Sequence, residues 1–213
     1  MNSSRDRPSI DFYFGLGSRY SYLAATQITR IEAAYDCVFT WKPLASGLLL
    51  ERRGANPFKM MQPATGLPLS GQYDAAYRAQ DARRWAACYG VPFREPAGLP
   101  ADPTLLARAC LAADEQGDLV RMCRAVFGAL FVDGVHLDAA ALGTLAAALG
   151  LDRLHFDANL SSPVLARRHD RLIDEAIGRG IFGVPTFCLG DQLFWGNDRL
   201  VLLEAALRGT PMP

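Results

Sequence analysis

Residues 182–200 read FGVPTFCLGDQLFWGNDRL, and the order of elements in this stretch decides the fold. Val184 to Leu189 and Gln192 to Trp195 are short apolar runs separated by a Gly-Asp pair, a pattern that predicts a β-hairpin. Asn197 and Asp198 are residue types that cap helices, and the leucines behind them share one helical face. This part of the chain is therefore predicted to be a β-β-α unit.

A second unit is predicted near the amino terminus. Ser9 to Phe14 (SIDFYF) alternates in polarity and is rich in aromatic residues, which predicts a strand. A Gly-Leu-Gly break follows, and a helical pattern then runs from Ser18 to about Tyr35. Cys37 to Leu44 is typical of another strand, and because a helix separates the two strands, they are expected to be parallel.

The residues between these two units carry helical patterns and no strong strand signal. Predicted helices or helix starts lie at Leu44–Arg53, Gly71–Tyr89, Asp102-Pro103, Asp118–Phe131, Asp138 and Ser162-Pro163. Without this helical block, the order is the thioredoxin topology. We therefore predict an α/β, thioredoxin-like fold with a large all-helical insertion between its βαβ and ββα halves. Residues 9–70 and 181–213 form the thioredoxin-like domain, and residues 71–180 form the insertion.

Composition restricts the function classes. The 213 residues are 50% hydrophobic and 21% charged with a formal net charge of zero, so nothing predicts a nucleic-acid or membrane partner. Met1 to Pro8 lacks the apolar core of a signal peptide, which favours a cytoplasmic protein. The five cysteines include no C-x-x-C pair and the three histidines show no metal-ligand spacing, so neither a disulfide framework nor a metal site is predicted.

Ser18 stands at the predicted strand-to-helix turn. Thioredoxin-like redox proteins carry C-x-x-C at this turn, whereas here Ser18 and Ser21 occupy the two cysteine positions. A chain without those thiols does not exchange disulfides by itself. The free N–H groups of a helix start still stabilise an anion such as a thiolate. The alternative interpretation is that Ser18 is only a helix cap.

Two further groups suggest what brings the thiol. Pro185 at a strand start predicts a cis peptide bond or an edge facing a ligand, and Val184 before it can pair with an extended peptide. The group Trp195-Gly196-Asn197-Asp198 combines a turn, a helix start and a carboxylate, which suits a ligand end carrying both a carboxylate and an ammonium group. A tripeptide with a central cysteine and a zwitterionic end fits these features, and glutathione is the predicted cofactor.

Two parts of the sequence resemble the 2-hydroxychromene-2-carboxylate isomerases and the related kappa-class glutathione transferases. One is the amino-terminal part, with Ile10 to Phe14, Ser18 and Tyr20 to Ala24, and the other is the stretch 182–200. A further similarity covers Asp81 to Ala86. The resemblance implies a dimeric, glutathione-dependent cis–trans isomerase that acts on a small, aromatic-derived substrate of a degradation pathway.

The resemblance also implies roles for individual residues. Ser18 is the catalytic serine that contacts the glutathione sulfur, Val184 pairs with the glutathione backbone beside Pro185, and residues 195–198 hold the glutamyl end. The chain departs from the family at Arg19, where a proline is usual.

Substrate-side positions are less well matched. Leu50 stands where the isomerases place a lysine, and Asn56 aligns loosely with a family asparagine. Arg19 and Asn56 are the candidate substrate-binding residues, although Arg19 equally fits a solvated charge.

Two other functions remain open: a kappa-like transferase or peroxidase, and a non-catalytic thioredoxin-fold binding module. Binding of glutathione would distinguish either enzyme from the non-catalytic module. The reaction product would distinguish the isomerase from the transferase.

Overall fold

The computed structural model describes residues 7–54, 74–95 and 101–210. The strands are β1 (Ser9–Phe14), β2 (Val38–Pro43), β3 (Thr186–Leu189) and β4 (Gln192–Trp195). The helices are α1 (Arg19–Tyr35), α2 (Ser46–Arg52), α3 (Ala75–Tyr89), α4 (Pro103–Asp114), α5 (Leu119–Gly128), α6 (Ala139–Ala148), α7 (Arg153–Leu160), α8 (Pro163–Gly178) and α9 (Leu200–Leu207). None of the described helices is long and apolar enough to cross a membrane.

The four strands form one mixed sheet in the order β2-β1-β3-β4. β1 runs parallel to β2, as the intervening helix requires, and antiparallel to β3, which in turn pairs antiparallel with β4. The predicted βαβ and ββα halves are thus joined into one sheet, with helices α3 to α8 between them in sequence. The predicted thioredoxin-like fold with a helical insertion is confirmed.

Alternation along β1 sends side chains to two different cores. Phe12 and Phe14 point to one face, where their rings stack with centroids 4.6 Å apart and Trp41 meets both edge-on. Tyr13 points to the opposite face and packs with residues of α2 and α8, among them Ile173. The sheet is therefore covered by helices on both faces.

The insertion shares its core with the sheet. One continuous cluster of buried side chains runs from β1 and α1 through α3 to α7. Phe127 of α5 reaches the sheet directly, with its ring centroid 5.7 Å from that of Phe14. The division into domains at residues 70 and 180 thus follows the chain order, while the packing joins the two parts.

Three local features differ from the sequence predictions. α5 ends at Gly128 and passes into a π-helical turn, Ala129–Asp133, where the Phe131 carbonyl accepts a hydrogen bond from Arg94 instead of continuing a regular helix. Helix α7 was not identified from the sequence. The predicted cap before α9 is absent, because a 3₁₀ turn, Asn197–Arg199, precedes the helix and no side chain caps either element.

Candidate active site

The three predicted site segments lie at one end of the sheet. β1 ends at Phe14, and its antiparallel partner β3 begins at Thr186, which pairs with Tyr13. Thr186 also pairs with Trp195, the last residue of β4. Because antiparallel neighbours place the end of one strand beside the start of the next, the serine turn, the Val184–Pro185 bond and the 195–198 segment meet there.

The serine turn is fixed by hydrogen bonds within a few residues. The Ser18 amide donates to the Gly15 carbonyl at 3.0 Å, and the Ser18 hydroxyl oxygen accepts from the Ser21 amide at 3.2 Å. The buried Ser21 hydroxyl accepts from the Gly15 amide at 3.3 Å, which closes the turn from its other side. Ser18 is therefore the N-cap of α1, as predicted. Its hydroxyl proton has no acceptor within the described part of the chain.

The Val184–Pro185 peptide bond is cis, as the position of the proline predicted. A Cβ atom placed on Gly15 would lie 3.4 Å from a Val184 methyl group and 3.2 Å from the Ser46 hydroxyl, so these three residues are in close contact. Across residues 7–54, 74–95 and 101–210, neither backbone polar group of Val184 takes part in a hydrogen bond. Val184 thus flanks the serine turn with an unpaired backbone edge.

Trp195 covers the approach to this bond. Its indole lies against Gly183, where an added Cβ would come within 2.6 Å of the indole nitrogen. Phe182 meets the indole edge-on at 5.0 Å between ring centroids, and both rings are nearly half exposed. The two aromatic side chains form an open apolar wall beside the Val184 backbone.

Some polar groups of the segment after β4 are hydrogen-bonded within the protein, and others face the solvent. The Gly196 amide donates to the Pro185 carbonyl at 2.8 Å, so this amide is already used. Asn197 is buried, and its backbone carbonyl oxygen accepts a hydrogen bond from the Tyr89 hydroxyl at 3.1 Å. The Asp198 carboxylate is exposed and pairs with its neighbour Arg199. Asp198 is thus the member of the predicted group whose side chain faces outward.

A cluster of charged side chains continues from the serine turn. Arg19 pairs with Glu95 at 2.8 Å, and both side chains are about four-fifths buried. The Tyr20 hydroxyl donates to Asp81 at 2.8 Å, and burial, followed by this hydrogen bond, raises the pKa of Tyr20 well above its ordinary value. Burial, followed by the Arg19 guanidinium, lowers the pKa of Arg78. Arg19 is therefore not the solvated charge that one interpretation of the sequence allowed.

Two residues at this end of the sheet were missed by sequence reasoning. Ser46 begins α2 and abuts Gly15, but a single serine after an apolar segment carries no distinctive signal. Glu95 lies in a proline-rich stretch without periodicity, so only the fold could bring it to Arg19. Asn56, the other substrate-side candidate, lies outside the described residues. Arg52, close in sequence to the predicted lysine position, is held by Asp170 and Asp174 of α8.

Two of the cavities formed by the described residues lie near the sheet. One of about 980 Å³ follows the outer edge of β2 between α4, α5 and α8, and it contains none of the predicted site residues. A smaller one of about 190 Å³ borders Asn197 and Asp198 and is also lined by Trp85 and Tyr89 of α3. The small cavity therefore adjoins the segment predicted to hold the glutamyl end.

Comparison with known proteins agrees with this architecture. A family model described as a DsbA-like thioredoxin domain matches residues 9–208. The chain belongs to the DsbA-like thioredoxin family. Within that family its sequence is 32% identical to a 2-hydroxychromene-2-carboxylate isomerase from Pseudomonas putida over 200 residues, 93% of each chain. It is also 32% identical to the enzyme of the same name from Pseudomonas sp. (strain C18) over 207 residues, 95% of this chain and 92% of that one.

A solved structure supports the same relationship. The structure of a selenomethionine 2-hydroxychromene-2-carboxylate isomerase superposes with a TM-score of 0.79 at 28% identity, covering 94% of this chain and 95% of that one. The resemblance drawn from the serine turn and the C-terminal run is thereby confirmed over nearly the whole chain. This DsbA-like chain nevertheless has serine at both positions where a C-x-x-C pair would stand.

Proposed function

We propose that this protein is a glutathione-dependent isomerase of an aromatic-degradation intermediate, related in activity to the 2-hydroxychromene-2-carboxylate isomerases it resembles. The observation that carries the proposal is the free proton of the Ser18 hydroxyl beside the unpaired backbone of Val184. Similarity at 32% identity to two isomerases supports the reaction class. Glutathione dependence is proposed from the site geometry.

The residues at this end of the sheet fit a bound tripeptide. Val184 offers one N–H and one C=O to an extended peptide backbone, in the manner of an added strand. The amides of Asn197 and Asp198 have no hydrogen-bond partner among the described residues and suit a carboxylate, while the Asp198 side chain suits an ammonium group. Trp195 supplies an apolar wall between the two.

Ser18 is proposed to lower the pKa of the bound thiol. Its oxygen accepts from the Ser21 amide, which leaves the O–H to donate to sulfur. A hydrogen bond to a charged group contributes about 1.5–3 kcal/mol, equivalent to about 1–2 pKa units. The first-turn amides of Arg19 and Tyr20, which have no partner inside α1, add positive potential at the same place.

When bound, glutathione supplies a thiolate that adds reversibly to the substrate, so that a double bond becomes a rotatable single bond until the thiol leaves. The chain's own residues hold the sulfur, exclude water on the side of Trp195 and orient the second substrate. We further propose a homodimer, as the resemblance implies. A kappa-like transferase would use the same residues but release a conjugate.

The deciding experiment is calorimetric titration with glutathione, combined with the ultraviolet absorbance of the thiolate as a function of pH. We expect millimolar or tighter binding to the wild type and a bound thiol pKa about 1–2 units below that of free glutathione. Ser18→Gly removes the hydroxyl but lowers stability by only a few tenths of a kcal/mol. The variant should therefore stay folded, and the pKa of the bound thiol should return to that of free glutathione.

Controls separate thiol activation from capping. Ser162 caps α8 in the same way, its hydroxyl accepting from the Val164 amide at 3.1 Å, so Ser162→Gly removes a cap without touching the site. S-methylglutathione, which has no ionisable thiol, should bind wild type and Ser18→Gly alike. Absence of glutathione binding to the wild type would refute both enzyme functions. Recovery of free glutathione with a rearranged product supports the isomerase, whereas a stable conjugate supports the transferase.

A further inference from the structure

The outer edge of the sheet opens into the larger of the two cavities described above. β2 is an edge strand, with β1 as its partner on one side. Five consecutive residues of β2, 39–43, line the cavity of about 980 Å³, so the strand faces it edge-on. The edge of β2 and this cavity together form what we call the β2 groove.

The direction of the backbone groups of β2 follows from its two ends. The Val38 and Leu44 amides donate to carbonyl groups of the neighbouring β1 segment, at 3.0 and 2.9 Å. Alternate residues of a parallel strand direct their backbone groups to opposite sides. The backbone groups of Phe39, Trp41 and Pro43 therefore point away from β1 and into the groove.

Among these three residues, Trp41 keeps both of its backbone groups available. Pro43 has no amide hydrogen, and the Phe39 amide donates to the Glu32 carboxylate at 3.2 Å. Neither the amide nor the carbonyl of Trp41 has a hydrogen-bond partner within the described part of the chain. Free backbone groups on a sheet edge are a template for another strand. The β2 groove thus offers a donor and an acceptor on one residue, as in peptide recognition by strand addition.

The two walls of the β2 groove differ in chemistry. On the sheet face that carries the Trp41 ring, α4 and α5 supply the apolar side chains Leu111, Leu119 and Val120. On the opposite face, α8 supplies a wall that includes Arg171. Because side chains alternate along a strand, a strand added to β2 would direct every second side chain to each wall.

The charged groups of the groove leave one cation without a partner. Each carboxylate of the lining is paired with a basic side chain, in Asp114–Arg168, Asp118–Arg121 and Glu175–Lys42. Arg171 is exposed and forms no ion pair or hydrogen bond with any of the described residues. An acidic ligand group beside Arg171 would therefore gain an ion pair, whereas a basic group would meet a like charge.

We propose that the β2 groove binds an extended peptide segment of another protein, in which apolar and acidic side chains alternate. The peptide backbone pairs with Trp41, its apolar side chains lie against α4 and α5, and an acidic side chain pairs with Arg171. The β2 edge of a second copy of this chain does not fit, because it lies at the bottom of its own groove. None of the predicted active-site residues lines the β2 groove, so the inference is independent of the proposed function.

The test is fluorescence anisotropy of a short, dye-labelled peptide of alternating valine and glutamate, titrated with the full-length protein. The wild type should bind it with a dissociation constant below about 1 mM, and should bind a valine–lysine peptide about 5- to 20-fold more weakly. Arg171→Glu should weaken binding of the glutamate peptide by a similar factor, because it removes an ion pair and adds a like charge. Arg167→Glu is the matched control, since Arg167 is exposed on the same helix but does not line the groove, and its affinity should stay within about twofold of the wild type.

N-methylated peptides test the strand addition itself. Alternate N–H groups of an extended peptide point to opposite edges, so methylation of only the glutamate amides or only the valine amides blocks one edge at a time. One of these two peptides should lose binding, and the other should keep it. Equal affinity for both, equal affinity of Arg171→Glu and the wild type, or no binding of the unmethylated peptide at millimolar concentration overturns the inference.

Two further measurements test other occupants of the groove. Tighter peptide binding by a chain shortened by residues 1–6 would assign the groove to this chain's own N-terminal segment. Dissociation of a dimer by the peptide, measured by sedimentation velocity, would assign it to a second copy. Either result overturns the inference, whereas unchanged affinity of the shortened chain and unchanged self-association support it.

Discussion

At the scale of single residues, Ser18 combines two roles because a hydroxyl group has both acceptor and donor capacity. The cap uses an oxygen lone pair toward Ser21, and the proton remains for a ligand. A cysteine at this position would bring its own thiol, whereas in the proposed function the serine keeps the hydrogen bond and a small molecule would supply the sulfur. The exchange of one atom type therefore changes the proposed chemistry from disulfide exchange to thiol activation.

His169 is a second residue whose environment makes a definite prediction. Its side chain is fully buried on α8, and one ring nitrogen accepts a hydrogen bond from the Ala45 amide at 3.2 Å. Burial first, and then the Arg108 guanidinium, lower the pKa of His169 from 6.5 to about 4. The imidazole is therefore neutral in the folded protein over the whole physiological range.

The consequence is a loss of stability in mild acid. Well above pH 6.5 the imidazole is neutral in both folded and unfolded chains and contributes no pH dependence. As the pH falls from 6.5 to about 4, His169 becomes protonated in the unfolded chain but stays neutral in the folded protein. This difference lowers the free energy of unfolding by up to about 3 kcal/mol. Urea titrations at several pH values should therefore show a flatter profile for His169→Gln than for the wild type. The exposed His136→Gln serves as control, and equal profiles for all three proteins would contradict the assignment.

At the scale of elements, helix α3 positions the segment after β4. The Tyr89 hydroxyl at the end of α3 donates to the Asn197 carbonyl and also lies 3.4 Å from the Asn197 side-chain nitrogen. Asn197 is buried, so removal of this partner leaves polar atoms unpaired inside the protein. The contact thereby couples a helix of the insertion to the proposed glutamyl-binding segment.

Tyr89→Phe should consequently reduce stability by about 1–3 kcal/mol and weaken glutathione binding, without changing the pKa of whatever thiol remains bound. Thermal unfolding and calorimetric titration measure the two effects. Tyr77 lies on the same helix but is half exposed. Tyr77→Phe is therefore the control, and it should leave the melting temperature and the glutathione affinity within error of the wild type. A Tyr89→Phe protein that is destabilised but binds glutathione normally would show that α3 supports the fold without positioning the site.

The sequence predicted individual strands and helices better than the contacts between them. Strands with alternating polarity and helices opened by Ser or Asp were predictable because their signals are local, and the turn carrying Ser18 lies where expected. Long-range placement was not predictable: Glu95 lies 76 positions after Arg19 in the sequence, and the two meet because α3 and the segment after it pack on α1. The capping role assigned to Asn197 was wrong because a buried partner on another helix outweighs a local preference.

At the scale of the whole molecule, the candidate site straddles the two parts of the chain. The thioredoxin-like part provides Ser18, Arg19 and Val184, whereas α3 and the segment after it provide Arg78 and Glu95. In the proposed function the end of the sheet would bind the tripeptide, while the insertion encloses the Arg19 side of the serine turn.

Such a site requires the two parts to remain in fixed relation, and the shared core predicts that they unfold together. Phe127 of α5 is buried and packs against both Phe14 of β1 and Tyr22 of α1. Phe127→Ala should lower the free energy of unfolding by about 3–5 kcal/mol, and far-ultraviolet circular dichroism and tryptophan fluorescence should still report one coincident urea transition. Leu154→Ala, at a side chain 83% exposed on α7, should change stability by less than about 0.5 kcal/mol. If the helical signal and the fluorescence separated into two transitions in the wild type, the insertion would be an independent unit, and a site built across the boundary would depend on how firmly the two units dock.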